Sequence, residues 1–427
     1  MKTGIALALA VLVPLLACRR GQDGAPGPAD AMAAPPKVEA GPGELPAVVA
    51  SRCHAAGGGA AVASPEDLEV GDAVLFGEGY AVGLVHRTAA GRMAAVALVD
   101  RNVTSARVVE LGVTLGDASP PRIVARGNGK ELLAADYALP KKTDSRELAL
   151  QVIGPSGEAK PLPSVVQQRD DSLSFDLGPG LVAWDEETTG TAARGVVRVA
   201  PIGPDHPGPA RDASSSDSDA EMPRVAADGA GYFVLWMARR ADPAVAVDAS
   251  ASAALEAIGE PRAYSWLEVV TVDAAGAPTG PTRRLTSTSG HVSAYDVQSL
   301  PGDGRPTLLV VARDDGEAVD GSGGVLLRVR VRADGVEPPV AFPGDGLGRG
   351  APSLVEGEAP WLAWIGPHEE MRLLPLDAVG TPVAPPSAEA LLDEALPLAT
   401  LPGGDGRMLV AFPGDPAASF RTVACTR

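Results

Sequence analysis

The side chains that could carry chemistry in this sequence are few and scattered. Five histidines, His54, His86, His206, His291 and His368, lie far apart, and none belongs to a His-Glu-x-x-His pair that would grip zinc. No Gly-x-Ser-x-Gly elbow is present to expose a nucleophilic serine. Cys53 beside His54 has no second cluster to complete four metal ligands. The Asp- and Ser-rich run 212–221 lacks the spaced ligands and closing Glu of a calcium loop. No cofactor, metal or catalytic set is therefore expected, and the chain reads as a non-enzyme.

What remains is a set of charged residues that recur at one place in a repeating pattern. They are Arg87; Lys141 and Lys142; Asp185 and Glu186; Arg239 and Arg240; Arg313, Asp314 and Asp315; and His368 and Glu369. Charged groups on elaborated loops over a rigid scaffold are where binding concentrates, so these form the candidate binding face. Trp184, Trp236 and Trp364 recur on strands and read as packing rather than as ligand-stacking platforms.

The elements that hold these residues begin after an N-terminal address. Lys2 is followed by an apolar run from Ile5 to Leu16, shorter than the roughly 20 residues a membrane span needs but suited to a secretory signal. The run ends Leu15-Leu16-Ala17-Cys18, which resembles the lipobox of bacterial lipoproteins. The resemblance implies cleavage after Ala17, acylation of Cys18 and, with Arg19 next, an outer-membrane location. Residues 18–46 are Gly-, Pro- and Ala-rich with no apolar period, so they read as a disordered tether reaching roughly 30 Å as a coil.

Removing residues 1–17 takes away only Lys2, moving the net charge from −18 to −19, which argues against nucleic acid as a partner. With Cys18 assigned to lipid by resemblance, Cys53 and Cys425 remain at the two ends of the folded region. A disulfide between them is expected.

Aromatic residues make up only 4 % of the chain, against 50 Gly and 40 Pro, so its core must be built of Val, Leu, Ala and Ile on many short strands. Gly-x-Gly turns start at Gly77, Gly127, Gly178 and Gly229, at steps of 50, 51 and 51 residues, and recur at Gly302 and Gly404. Gly357 is a degenerate seventh copy. Pro121-Arg122-Ile123-Val124-Ala125 also matches Pro223-Arg224-Val225-Ala226-Ala227 two periods later. Each turn sits between a short strand and a more apolar one, and a third and a weaker fourth strand follow.

The expected fold is therefore all-β: a seven-bladed β-propeller of four-stranded antiparallel blades over residues 47–427, with a pair of β-sandwiches as the competing fold. It resembles degenerate propeller repeats of secreted proteins. The last unit has only three strands, so residues 47–53 are expected to supply its outer strand beside Cys425. An insertion at 241–262, with a short helix near 251–258, is expected in the fourth blade.

The functional expectation is a lipid-anchored envelope protein whose propeller binds or scaffolds a protein or glycan on its loop-rich face. The alternative is a propeller-fold carbohydrate-active enzyme, a glycosidase or lyase, whose paired carboxylates meet only on folding. Three or more carboxylates at the mouth of the central channel would favour that alternative, and an uncharged channel the binder. A third reading is a structural subunit of an envelope machine.

Overall fold

In the computed structural model, residues 53–425 are described except 64–67, 117, 139–145, 168–173, 189–193, 216–217, 241–263, 303–304, 317–323, 333–334, 343–349, 358–359, 367–370, 384–388, 392–395, 402–405 and 413–416. Cys18, the signal and tether, residues 47–52, the insertion 241–262 with its expected helix, and Lys141, Lys142, His368 and Glu369 all lie outside the described residues.

The first strand among the described residues, β1 (His54–Ala63), belongs to the last blade. Blade one is β2 (Glu69–Phe76), β3 (Gly79–Thr88), β4 (Gly91–Val99) and β5 (Ala106–Val113). Blade two is β6 (Arg122–Arg126), β7 (Glu131–Ala138), β8 (Arg146–Ile153) and β9 (Ala159–Gln167). Blade three is β10 (Phe175–Gly178), β11 (Leu181–Glu187), β12 (Gly195–Pro201) and β13 (Arg211–Asp212). Blade four is β14 (Asp219–Ala227), β15 (Gly231–Arg240), β16 (Tyr264–Asp273) and β17 (Arg283–Arg284).

Blade five is β18 (Val292–Leu300), β19 (Thr307–Asp314), β20 (Val325–Arg332) and an outer strand split into β21 (Gly335–Val336) and β22 (Val340–Ala341), both paired to β20. Blade six is β23 (Ser353–Val355), β24 (Trp361–Ile365), β25 (Met371–Pro375) and β26 (Glu389–Leu391). Blade seven takes β27 (Leu396–Thr400), β28 (Arg407–Phe412) and β29 (Ala417–Ala424) from the end of the chain and β1 from its beginning.

First strands of neighbouring blades touch in the cyclic order β2, β6, β10, β14, β18, β23, β27 and back to β2, so the seven sheets close into a ring around one axis. The core follows the same geometry. Among the described residues there are seven apolar clusters, one between each pair of adjacent blades, as with Phe233 and Leu235 against Tyr295 and Leu308. A second strand such as β15 is buried on both faces because each face meets a blade, which explains its unbroken run Phe233 to Ala238. Trp184, Trp236 and Trp364 lie in these layers, and Trp236 and Trp266 both donate their indole N–H to Glu268, at 3.1 and 2.8 Å.

The Gly-x-Gly turns have a steric cause. A Cβ at Gly79, Gly231 or Gly406, the second glycine of three of them, would collide with a carbonyl at the end of the third strand, of Val99, Val272 and Cys425 respectively. Gly77, Gly127 and Gly229, the first glycines, have positive φ.

Ring closure corrects the expected register. The outer strand of blade seven is β1, antiparallel to β29 with His54 opposite Ala424, and not residues 47–53. HAAGGGAAVA shows no apolar alternation, and its place is set by the free edge of β29. Cys53 and Cys425 form a disulfide across this seam, Cα to Cα 4.1 Å and 372 residues apart. The run 212–221, weighed as a calcium loop, is taken up at its two ends by β13 and β14, with Asp212 paired to Arg198.

Candidate functional site

Of the residues expected on a binding face, Arg87, Asp185, Glu186, Arg239, Arg240, Arg313 and Asp314 stand at the far ends of second strands. Several of its charges are committed to the scaffold. Asp185 is buried and accepts the Met222 N–H at 2.8 Å. Glu186 is buried, accepts the Trp184 indole N–H and pairs with Arg198 at 2.6 Å. Arg313 pairs with Asp315, and Asp314 accepts the backbone N–H groups of His291 and Gly316. Arg239 pairs with Glu221 at 3.1 Å, while Arg87 and Arg240 are exposed. These residues stay on separate blades and form no single cluster.

The charges that do converge lie on the first strands, around the axis. Blade one contributes Asp72, blade two Arg122, blade three Asp176, blade four Arg224, blade five Asp296, and blade six Glu356 at the end of β23. Their fields overlap across the ring: Asp72 feels Arg224 three blades away, and Glu356 feels Asp72, Asp176 and Asp296. Arg122 is bracketed by two carboxylates, in an ion pair with Asp72 on one side and 3.7 Å from Asp176 on the other.

Local irregularities aim these groups. Asp72 sits in a bulge of β2, between Val70 and Ala73. Arg224 follows a bulge of β14 in which Met222 takes a φ of +54°, a strained value for a side-chain-bearing residue. That residue is pinned from both sides, its N–H held by Asp185 and its carbonyl accepting the Tyr295 hydroxyl. The Tyr295 ring in turn lies under the Arg224 guanidinium, 5.6 Å from its centroid. The backbone at Glu356 is clamped likewise: its carbonyl accepts Thr400 N–H at 2.9 Å and Thr400 hydroxyl at 2.8 Å, and the Gly357 carbonyl accepts Gln298 Nε2 at 3.3 Å.

Titration follows from enclosure. Burial pushes Asp72 up, but the charge and hydrogen bond of Arg122 outweigh it and leave the carboxyl below its ordinary value. Burial wins at Asp176 and Asp296, which are raised in spite of the nearby guanidinium groups. Glu356 meets solvent yet is walled in by protein, and that enclosure, with the charges of Asp296, Asp72 and Asp176, pushes it up to about 7. A carboxyl at that value can hold or release a proton near neutrality. Among the described residues no group of three or more His, Cys, Asp or Glu is arranged to hold a metal ion.

Sequence reasoning missed this ring. Arg122 and Arg224 were in view as the matched Pro-Arg segments, whose charge inside an otherwise apolar inner strand was the available signal. The four carboxylates stand at unequal offsets from their turns, so no spacing rule links them.

No family model and no curated protein matches the sequence. Solved structures share the architecture. The propeller domain of the Trilobed protease from Pyrococcus furiosus is 10 % identical, covers 84 % of this chain and 94 % of its own, and has a TM-score of 0.47. A prolyl endopeptidase structure is 16 % identical at a TM-score of 0.49, over 82 % of this chain, which spans about half (46 %) of the length of that protein. A PL25 ulvan lyase bound to a GlcA(1-4)Rha3S ligand is 9 % identical at a TM-score of 0.49, over 86 % of this chain and 96 % of its own. The likeness is one of fold, and the activities belong to those proteins. The expectation that the chain is no enzyme is corrected by the axial ring itself: carboxylates from four blades converge and one of them is raised to about 7, so nothing here excludes catalysis.

Proposed function

We propose that this chain is an envelope-tethered propeller that takes a polar ligand at its axis. Acylated Cys18 is the anchor, residues 18–46 are the tether, and the outer membrane is the location, all three resting on the lipobox resemblance. The observation that carries the reading is the convergence of Asp72, Arg122, Asp176, Arg224, Asp296 and Glu356 from six consecutive blades. Mixed carboxylates and guanidinium groups on a rigid scaffold supply the few fixed polar contacts that orient a ligand. A screen of envelope glycans and peptides against the mature protein, repeated with Arg224→Ala, tests it. Binding that depends on Arg224 and not on the exposed Arg240 is expected; binding indifferent to the ring refutes the axial site. Metabolic labelling with an alkyne fatty acid checks the anchor and should fail in Cys18→Ala.

A second reading, a glycosidase or lyase, is favoured by one specific observation: four carboxylates reach the axis, and one of them, Glu356, titrates near 7 while open to solvent. Release of reducing ends or unsaturated products from uronate-containing polysaccharides, abolished in Glu356→Gln, would establish it. Turnover unchanged in that variant would remove it.

A further inference from the structure

Charge is unevenly distributed around the axis. Arg122 is engaged by Asp72 and Asp176, so each carboxylate of blades one and three has a cation beside it. Arg224 lies over Tyr295 and donates to the Pro223 carbonyl at 3.0 Å. Among the described residues, blades five and six bring Asp296 and Glu356 and no cation to the ring. The carboxylate of Asp296 accepts the backbone N–H groups of Val297 and Leu354, at 2.9 and 2.7 Å. No hydrogen bond or ion pair to the Glu356 carboxylate occurs among the described residues.

A second, independent feature lies beside it. Gln298, two residues beyond Asp296 on β18 and only 9 % exposed, is fixed through its Nε2 on the carbonyl of Gly357, the residue after Glu356. Its Oε1 is buried and has no hydrogen-bond partner. A buried acceptor left empty is costly, and reversing the amide would set oxygen against the Gly357 carbonyl. An unmet acceptor therefore stands beside the backbone that follows Glu356.

We propose that the blade-five and blade-six side of the axial ring binds an organic cation carrying N–H donors, a protonated amine or guanidinium, through Glu356, Asp296 and the Gln298 amide oxygen. The proposal rests on the reading of the axis as a ligand site. A cation there neutralises the surplus charge, and its N–H groups fill the empty acceptors; a quaternary ammonium does only the first.

The groups facing Glu356 set its pH dependence. They are Asp296 on β18 and, across the axis, Asp72 on β2 and Asp176 on β10, with Arg122 and Arg224 completing the ring; β24 and β27, packed on either side of β23, carry no titratable side chain. With Glu356 near 7, a cation binds better as pH rises and expels a proton.

The test is calorimetric titration of the mature protein with agmatine, tetramethylammonium and galacturonate at pH 6 and pH 8. Agmatine affinity is expected to rise about tenfold between the two, and tetramethylammonium to bind at least tenfold more weakly. Glu356→Gln should lose the pH dependence, and Gln298→Leu should weaken binding while keeping it. Equal binding of the two cations, or an unchanged pH profile in Glu356→Gln, overturns the proposal. Should a variant not fold, the wild-type pH profile and the two-cation comparison still decide. Galacturonate binding that requires Arg224, with no agmatine binding, sinks the cation while leaving the axial site standing; binding of neither sinks both.

Discussion

The Asp176 carboxylate accepts the backbone N–H of Val225 at 2.7 Å, so an inner strand of the third blade holds the inner strand of the fourth. Asp296 does the same to Leu354 two blades on, also at 2.7 Å. On the outside, Arg107, Arg283 and Arg328 reach carbonyls of the next blade's outer turn, of Ser156, Arg332 and Gly380. Neighbouring blades are thus tied at both radii by polar contacts about one repeat apart.

Removing the inner tie should be costly. Asp176→Ala leaves the Val225 N–H without its acceptor and strips Arg122 of one carboxylate, and a loss of about 2–3 kcal/mol is expected in urea melts. Asp176→Asn keeps an acceptor and should recover part of it. Equal stability of all three proteins would show that the tie contributes nothing.

Asp136 on β7 is only 3 % exposed, and burial pushes it up to about 7. A raised carboxyl binds its proton more tightly in the folded state than in the unfolded chain. Its penalty on stability is absent below about pH 4, grows as pH rises through 7 and is complete above it. Asp136→Asn is therefore expected to stabilise by roughly 2–4 kcal/mol at pH 8 and by almost nothing at pH 4. Melts at both values check this, and a gain that persists at pH 4 contradicts it.

The second turn glycine is a packing requirement. Gly231→Ala drives a methyl group into the Val272 carbonyl, backbone that cannot swing aside, and should cost at least about 2 kcal/mol. Gly59→Ala, where a Cβ meets nothing within 4 Å, is the control and should be near neutral.

Opening the seam tests closure. The chain-entropy relation gives a ceiling of about 6 kcal/mol for a cross-link over 372 residues. Cys53→Ala with Cys425→Ala is expected to lose 2–5 kcal/mol, read from denaturant midpoints, and β1 amides should exchange fastest in the variant. Two free thiols in non-reducing peptide maps of the secreted protein would refute the bond.

The repeat was legible because its signals are local. A glycine that must admit a neighbouring carbonyl, and a second strand buried on both faces, leave their mark within ten residues, and seven such marks, the first four of them 50 or 51 residues apart, give the number of blades. The closing strand was misplaced for the same reason. Ala47-Val48-Val49-Ala50 looks more like a strand than HAAGGGAAVA, and only the edge of β29 selects the latter.

By itself, the sequence determined the all-β class, the blade count and the order of strands within a blade, since each follows from residue type and spacing along the chain; the pairing of Cys53 with Cys425 was expected only once the lipobox resemblance had set Cys18 aside. Only the tertiary structure decided which charges share the axis. Asp72 and Glu356 are 284 positions apart in the chain (356 minus 72), and their meeting depends on ring closure, on the bulges at Val70–Ala73 and Glu221–Arg224, and on the turns that set each inner strand's depth. Electrostatic convergence is a property of distances through space, and no local pattern encodes it.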